Sequence, residues 1–224
     1  KPGFTTSLVH SANIAGTLLA SCVGIIIERH FSYVDFAWRF AFILGGILGI
    51  IGFYLRLQVM ETPVFTSLLE KKNLFKISLT KVIYEDYPSM FITFCIGGIA
   101  SSLTYMVKAY VNIFYVNVMH LNNSTALGYL SFTSFILMMV MPLFGHLSDS
   151  IGRVKIIVYA TVANLLFITP VLFMMSLESA VLQLIALSIL GILAASIAGS
   201  AYIFIISLFK PEHRFFGIGF SYNL

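Results

Sequence analysis

Residues 180–209 read AVLQLIALSILGILAASIAGSAYIFIISLF, thirty positions without Asp, Glu, Lys or Arg. A helix rises about 1.5 Å per residue, so about 20 mostly apolar residues cross a hydrocarbon core about 30 Å thick. This run is longer than that, and its Gly, Ala, Leu and Ile content suits a helix rather than the alternating strands of an outer-membrane barrel. Moving outward, five further stretches have the same character: 8–27, 38–56, 90–119, 126–147 and 154–175. Another begins near Gly217. The expectation is therefore an all-α polytopic membrane bundle, with six complete transmembrane helices and the start of a seventh.

Composition excludes the alternatives. Apolar residues make up 59% of the 224 positions and charged residues 10%, against roughly 25% charged in a soluble domain. With 21 Phe, 11 Tyr and a mean hydropathy of +0.96, no water-soluble globule hides this much apolar side chain. Disordered and disulfide-framework readings fail on the same ground. Cys22 and Cys95 sit far apart inside apolar runs and read as small hydrophobes. The chain opens on Lys1 and closes on GIGFSYNL, which reads as a piece of a longer chain.

The net charge of +4 is spread over short loops, so it sets membrane orientation and implies no nucleic-acid partner. Lys1, Arg56, Lys71, Lys72, Lys76, Lys81, Arg153, Lys155, Lys210 and Arg214 fall on one side, against only Arg29 and Arg39 on the other. The positive-inside rule makes residues 1–7, 57–88, 148–155 and 210–216 cytoplasmic. A bacterial inner (plasma) membrane is the expected location.

Residues 57–88 form the one sizeable hydrophilic region. Thr62-Pro63 suits a helix start, and Leu68, Leu69, Leu74 and Ile77 alternate with Lys71, Lys72 and Lys76. An amphipathic helix on the inner face is expected, a solvated loop being the alternative. The segment divides residues 1–56, read as the last two helices of one half-bundle, from residues 89–224, read as a truncated second half-bundle. Small residues at helical spacing (Ala12, Gly16, Ala20 and Gly24; Gly45 and Gly49; Gly191, Ala195 and Gly199) predict close packing. Pro142 and Pro170 are expected to kink their spans.

All nine carboxylates lie in loops or at span ends, and no His or Cys cluster has metal-ligand spacing. An enzyme, a metal site and a cofactor are not expected. The intramembrane charge is Lys108. On a regular helix, Ser101, Tyr105, Lys108, Asn112 and Tyr115 share its face, and a polar stripe in a membrane faces the bundle interior or an aqueous cavity. Lys108, Tyr105, Asn112 and Tyr115 are therefore candidate substrate-binding residues, the lysine suited to a solute carboxylate. The competing reading has Lys108 snorkel to the headgroups. His10, Asn13, Thr17 and Ser21 form a second polar face, which lines the same cavity or bonds neighbouring helices.

Residues 145–155 read Gly145-His-Leu-Ser-Asp149-Ser-Ile-Gly152-Arg153-Val-Lys155. Reversing the chain in so few residues calls for glycine where backbone angles are tight. Asp149 and Arg153 are placed to pair with each other or with adjacent helix ends. With Gly145 and Gly152 they make a candidate conformational latch.

That pattern, G-x-L-S-D-x-x-G-R-x-K, resembles the cytoplasmic signature loop of the major facilitator superfamily, in its second-half copy between helices eight and nine. Val154 departs from it, a second basic residue being usual there. Trp38-Arg39 through Gly45, Gly49, Gly52, Tyr54-Leu-Arg56 and Glu61-Thr-Pro63-Val-Phe65 resembles helix six of the metabolite:proton symporter branch. Pro211-Glu-His-Arg214-Phe-Phe-Gly217 through Tyr222-Asn223 is similar to that branch's lead into helix eleven, and the best overall likeness is to bacterial proline/betaine transporters. Lys1-x-Gly3 also mirrors Arg214-x-x-Gly217 at a separation of about 210 residues, a half-transporter period for parallel halves.

The resemblance implies a major-facilitator bundle of twelve helices, of which this sequence holds five to ten and the start of eleven. It implies a solute bound near the midplane between halves, alternating access, and proton-coupled symport of a small osmolyte or organic acid. Proline or betaine comes first and a 2-oxoglutarate-like acid second. The expected partners are that solute, a coupling proton, the lipid bilayer and the missing half-bundle as a separate chain. The family's charges of helices one and four would lie before Lys1, and Lys108 matches none of its motifs. The rival reading is a non-transporting membrane fragment of a split or degraded transporter gene.

Overall fold

The computed structural model describes residues 1–31, 33, 34, 36–59 and 79–223. Helices follow the apolar runs: α1 (Pro2–His30), α2 (Trp38–Gln58), α3 (Leu79–Tyr105), a π-helical turn (Met106–Tyr110), α4 (Val111–Asn117), α5 (Asn123–Ile151), α6 (Arg153–Met175), α7 (Ala180–Leu208) and α8 (Arg214–Asn223). Six spans among the described residues are long and apolar enough to cross a bilayer, with α3, the π turn and α4 acting as one continuous span over Val82–Asn117. The amphipathic helix expected between Thr62 and Ile77 falls outside the described residues.

Local chemistry sets the helix ends. Pro2 occupies the first turn of α1, where its missing N–H removes no intrahelical bond, and Arg29 and His30 sit at its C-terminal end. Gly152 alone separates α5 from α6, at φ 112°, a backbone region that disfavours any residue with a Cβ. The expected short reversal is thus a single residue. Near the start of α3, Asp86 leaves helical geometry (φ −117°, ψ 19°) two residues before Pro88, whose ring clashes with the preceding turn.

The charge-free run forms the central pillar. More than half of α7 is buried, and its small residues let neighbouring backbones come close. A Cβ on Gly199 would lie 2.6 Å from the Met141 carbonyl oxygen, and one on Gly191 3.1 Å from that of Thr133. Asn164 of α6 completes the join, its amide donating to the carbonyls of Ala160 (2.9 Å) and Leu193 (3.2 Å).

Helix α1 runs antiparallel along α5 with its partners in register from end to end. Gly3 meets Asp149 and Gly145 meets Ser7. Ser131 Oγ donates to Ser21 Oγ at 2.8 Å, Gly24 meets Leu127, and Arg29 Nε donates to Ser124 Oγ at 3.0 Å. By contrast α2 buries no residue, and Gly45, Gly46, Gly49 and Gly52 have open space where a Cβ would stand. The stripe of α7 packs as expected at Gly191 and Gly199 and that of α1 only at Gly24, since Ala12 and Ala20 are exposed and Gly16, like the glycines of α2, has open space where a Cβ would stand. Gly16, Ala20 and Gly45 line a cleft between α1 and α2. A small face permits close approach and does not by itself supply the surface that approaches.

At the Asp86 kink, a buried histidine ties α3 to the segment before α8. His213 is 4% exposed and its Nδ1 lies 2.5 Å from Asp86 Oδ2. Phe209 packs with Val82 and Met90 beside it, and Gly217 lies against the Phe209 ring.

These contacts give a stability expectation. Gly199→Leu, forced against backbone, should cost about 1–3 kcal/mol, whereas Gly45→Leu, facing open space, should change stability by no more than about 0.5 kcal/mol. Thermal unfolding of the two variants in detergent checks the contrast.

Candidate functional site

Two grooves of about 460 Å³ lie on the outer side of α3, one toward α8 and one toward α6, and no charged side chain lines either. The chemistry is concentrated in a smaller, partly open cavity of about 140 Å³. It is lined by His10 and Asn13 of α1, Thr104 of α3, Lys108 of the π turn, Met141 of α5 and Tyr202 of α7. It occupies the middle of the α1–α5 pair, between the Ser7 and Ser21 contacts.

Lys108 Nζ donates to Asn13 Oδ1 at 2.7 Å. His10 lies flat on Tyr202, ring centroids 3.3 Å apart and planes 12° from parallel. Behind it, the Tyr202 and Tyr222 hydroxyls are 2.8 Å apart, and Ser101 Oγ donates to the Tyr222 oxygen at 3.0 Å. One network therefore joins α1, α3, α7 and α8.

The stripe drawn on a regular helix does not survive as one face. A π turn closes i→i+5 bonds and rotates everything beyond it relative to a 3.6-residue period. The Val111 amide bonds the Met106 carbonyl across this one. Lys108, inside the turn, points into the cavity. Tyr105, before it, is 67% exposed, and Tyr115, after it, is fully buried against Phe114 and Tyr129. Asn112 is partly buried, and neither it nor Tyr105 or Tyr115 lines the cavity. In exchange, the cavity gathers His10 and Asn13 from the second polar face, one helical turn apart and readable in the sequence. It also gathers Tyr202, which no local pattern signals.

At one end of the α1–α5 pair stands the candidate latch. Lys1 provides no side-chain cap to α1, so the first backbone N–H groups of that helix need acceptors from elsewhere. Asp149 supplies them: Oδ1 accepts from Gly3 N at 2.9 Å and Oδ2 from Phe4 N at 3.1 Å. Negative charge at a helix N-terminus is also favoured by the helix dipole. A Cβ on Gly3 would lie 2.7 Å from both Asp149 Oδ1 and the Gly145 carbonyl oxygen, and one on Gly145 would overlap Ser7. Gly145 thus permits the approach that Asp149 closes. Of the two pairings open to Asp149, the helix end takes its hydrogen bonds. Arg153 lines a groove of about 390 Å³ with Asp149 and Gly152. At the opposite end, Arg29 with Ser124 and Glu28 with Asn123 (3.5 Å) link the same two helices.

Long apolar helices packed around a small polar cavity, with a capped helix crossing beside it, define a polytopic membrane bundle with a polar site between its helices. A family model described as Major Facilitator Superfamily matches residues 1–223, and the chain belongs to that family, a multi-pass membrane protein. It is 27% identical over 203 residues to the ectoine/proline transporter of Corynebacterium glutamicum (85% of this chain, 40% of the relative). It is 26% identical over 227 residues to the alpha-ketoglutarate permease of Escherichia coli (99% and 51%). It is 25% identical over 238 residues to the glycine betaine/proline/ectoine/pipecolic acid transporter of Dickeya dadantii (100% and 47%). The chain spans about half the length of these curated relatives or somewhat less. No solved structure matches it.

The cap predicts an order of stabilities. Asp149→Ala should cost about 1–2 kcal/mol, as lost helix caps do, Asp149→Asn should cost less, and Arg153→Gln less than about 0.5 kcal/mol. Thermal unfolding of the three variants in detergent distinguishes a helix cap from an Asp149–Arg153 ion pair, which would make the two charge removals equivalent.

Proposed function

We propose that this chain carries the solute cavity of a proton-coupled symporter for a small carboxylate-bearing solute, working by alternating access in a bacterial inner membrane. The observation that carries the reading is Lys108, an intramembrane cation held by Asn13 over a polar cavity. Such a charge is expensive in lipid and is retained where it faces a partner or a substrate. No acidic side chain lines the cavity among the described residues, so the ammonium is left for a negative group on the cargo.

Proline- or betaine-like zwitterions are the first choice of cargo, in line with the names of the Corynebacterium and Dickeya relatives. A 2-oxoglutarate-like dicarboxylate is the second, in line with the name of the Escherichia relative. In this reading residues 1–56 belong to one half-bundle and 89–224 to the other, joined through a cytoplasmic 57–88. The α1–α5 pair is then the seam between halves. Residues 1–7, 148–155 and 210–216 are cytoplasmic, so Asp149 latches the inner end while Glu28, Arg29, Asn123 and Ser124 meet at the outer end. Tyr105, Asn112 and Tyr115 retain a supporting place around the π turn.

Uptake of radiolabelled proline, glycine betaine and 2-oxoglutarate into proteoliposomes containing the full-length protein, with and without a pH gradient, tests both cargo and coupling. Lys108→Met should weaken binding of the transported solute about tenfold to a hundredfold, the worth of a charge-assisted hydrogen bond. Unchanged affinity would remove the cavity reading, and wild type inert toward every solute would favour the non-transporting alternative. For the latch, Asp149→Asn should slow turnover more than it changes solute affinity, and an effect confined to affinity would count against it.

A further inference from the structure

Taking the cavity as the solute site, we infer that His10 takes up the coupling proton and that the solute carboxylate on Lys108 is what allows it to do so. The inference rests on that reading of the cavity and adds a group and a linkage to it. His10 and Asn13 stand one turn apart on α1, and Asn13 holds the Lys108 ammonium at 2.7 Å. Imidazole and ammonium therefore share one small cavity. Among the described residues, neither ring nitrogen of His10 is hydrogen-bonded, which leaves an atom to receive a proton.

The ring's other surroundings suit a cation. Its face lies on the Tyr202 phenol at 3.3 Å, and an aromatic face attracts an imidazolium as it does other cations. Tyr202 is itself held through Tyr222 and Ser101, so the platform is fixed. The titratable groups facing His10 are Lys108 beside α3 and Tyr202 on α7, with Tyr222 of α8 behind. Helix α5 contributes Met141.

With Lys108 charged and no carboxylate in the lining, a second positive charge at His10 is repelled in a low-dielectric cavity. A carboxylate arriving on Lys108 offsets that repulsion. The proton then bonds a free imidazole nitrogen, entering from the side the cavity faces and leaving to the other side once the solute has gone. No covalent bond of the solute changes. Linkage is reciprocal, so lowering the pH tightens solute binding by the same factor by which solute tightens proton binding.

The test separates exchange from coupled accumulation in the full-length protein reconstituted into liposomes, using whichever of proline, glycine betaine and 2-oxoglutarate the wild type accumulates. In His10→Gln, exchange of internal for external solute at fixed pH should persist, at the weaker solute affinity that the wild type shows with His10 unprotonated. Accumulation driven by a pH gradient should be lost, and with it the proton uptake that accompanies solute addition and the pH dependence of solute affinity, set at about fivefold or more by a typical coupling. His10→Gln that still accumulates against a gradient overturns the inference. Loss of exchange together with coupling, in both His10→Gln and His10→Asn, also overturns it, marking His10 as a solute or packing residue. Lys108→Met reports separately on the parent reading: lost solute affinity sustains it, and unchanged affinity removes that reading and this inference with it.

Discussion

Everything in the bundle depends on how close α1, α5 and α7 come to one another. In lipid there is no hydrophobic force between helices, so association rests on backbone approach and on the polar contacts that approach permits. Glycine and serine make it possible here. Gly3, Gly145 and Gly199 each stand where a Cβ would lie closer than 3 Å to a neighbouring atom. Only at that spacing can an aspartate on α5 reach the first amides of α1. Widen the crossing by one methyl group and the cap, the Ser21–Ser131 bond and the closed ends of the cavity are lost together.

That spacing also explains where the cavity sits. Along most of their length α1 and α5 touch through small residues. At His10 and Asn13 the α1 side chains are longer and polar, and on α5 Met141 precedes Pro142. The helices are held at both ends and separated by larger side chains in the middle, which leaves a polar space lined on its other sides by α3, the π turn and α7. A charge survives in that space because Asn13 accepts from it, where an ammonium facing acyl chains would not.

Much of this was legible in the amino-acid sequence. Six apolar runs, the absence of mid-span carboxylates and the Gly145–Lys155 pattern lead directly to a helical membrane bundle with a tight reversal at Gly152. The intramembrane lysine could be identified as unusual from hydropathy alone. The partners it meets could not. His10 and Asn13 are one turn apart on their own helix, but nothing local says that this face turns toward Lys108. Tyr202 lies in an apolar run with no polar face of its own, so no periodicity marks the side it presents. The glycines of α2 illustrate the reverse error, since a sequence stripe says a helix can be approached and cannot say by what.

The largest gap between expectation and structure falls at the π turn, and its physical origin connects it to the site. A regular helix would place Tyr105, Lys108, Asn112 and Tyr115 on one side. The turn at Met106–Tyr110 breaks that side, leaving Tyr105 exposed and Tyr115 buried. Wider i→i+5 turns pack less well than α-helix and recur at functional positions. Conflicts between local preference and final structure are expected to gather where a protein's chemistry is done. Here the irregular turn carries Lys108 and delivers it to an asparagine on a different helix. The turn and Lys108 are therefore best understood together: the distortion makes the lysine's orientation independent of the packing faces above and below it.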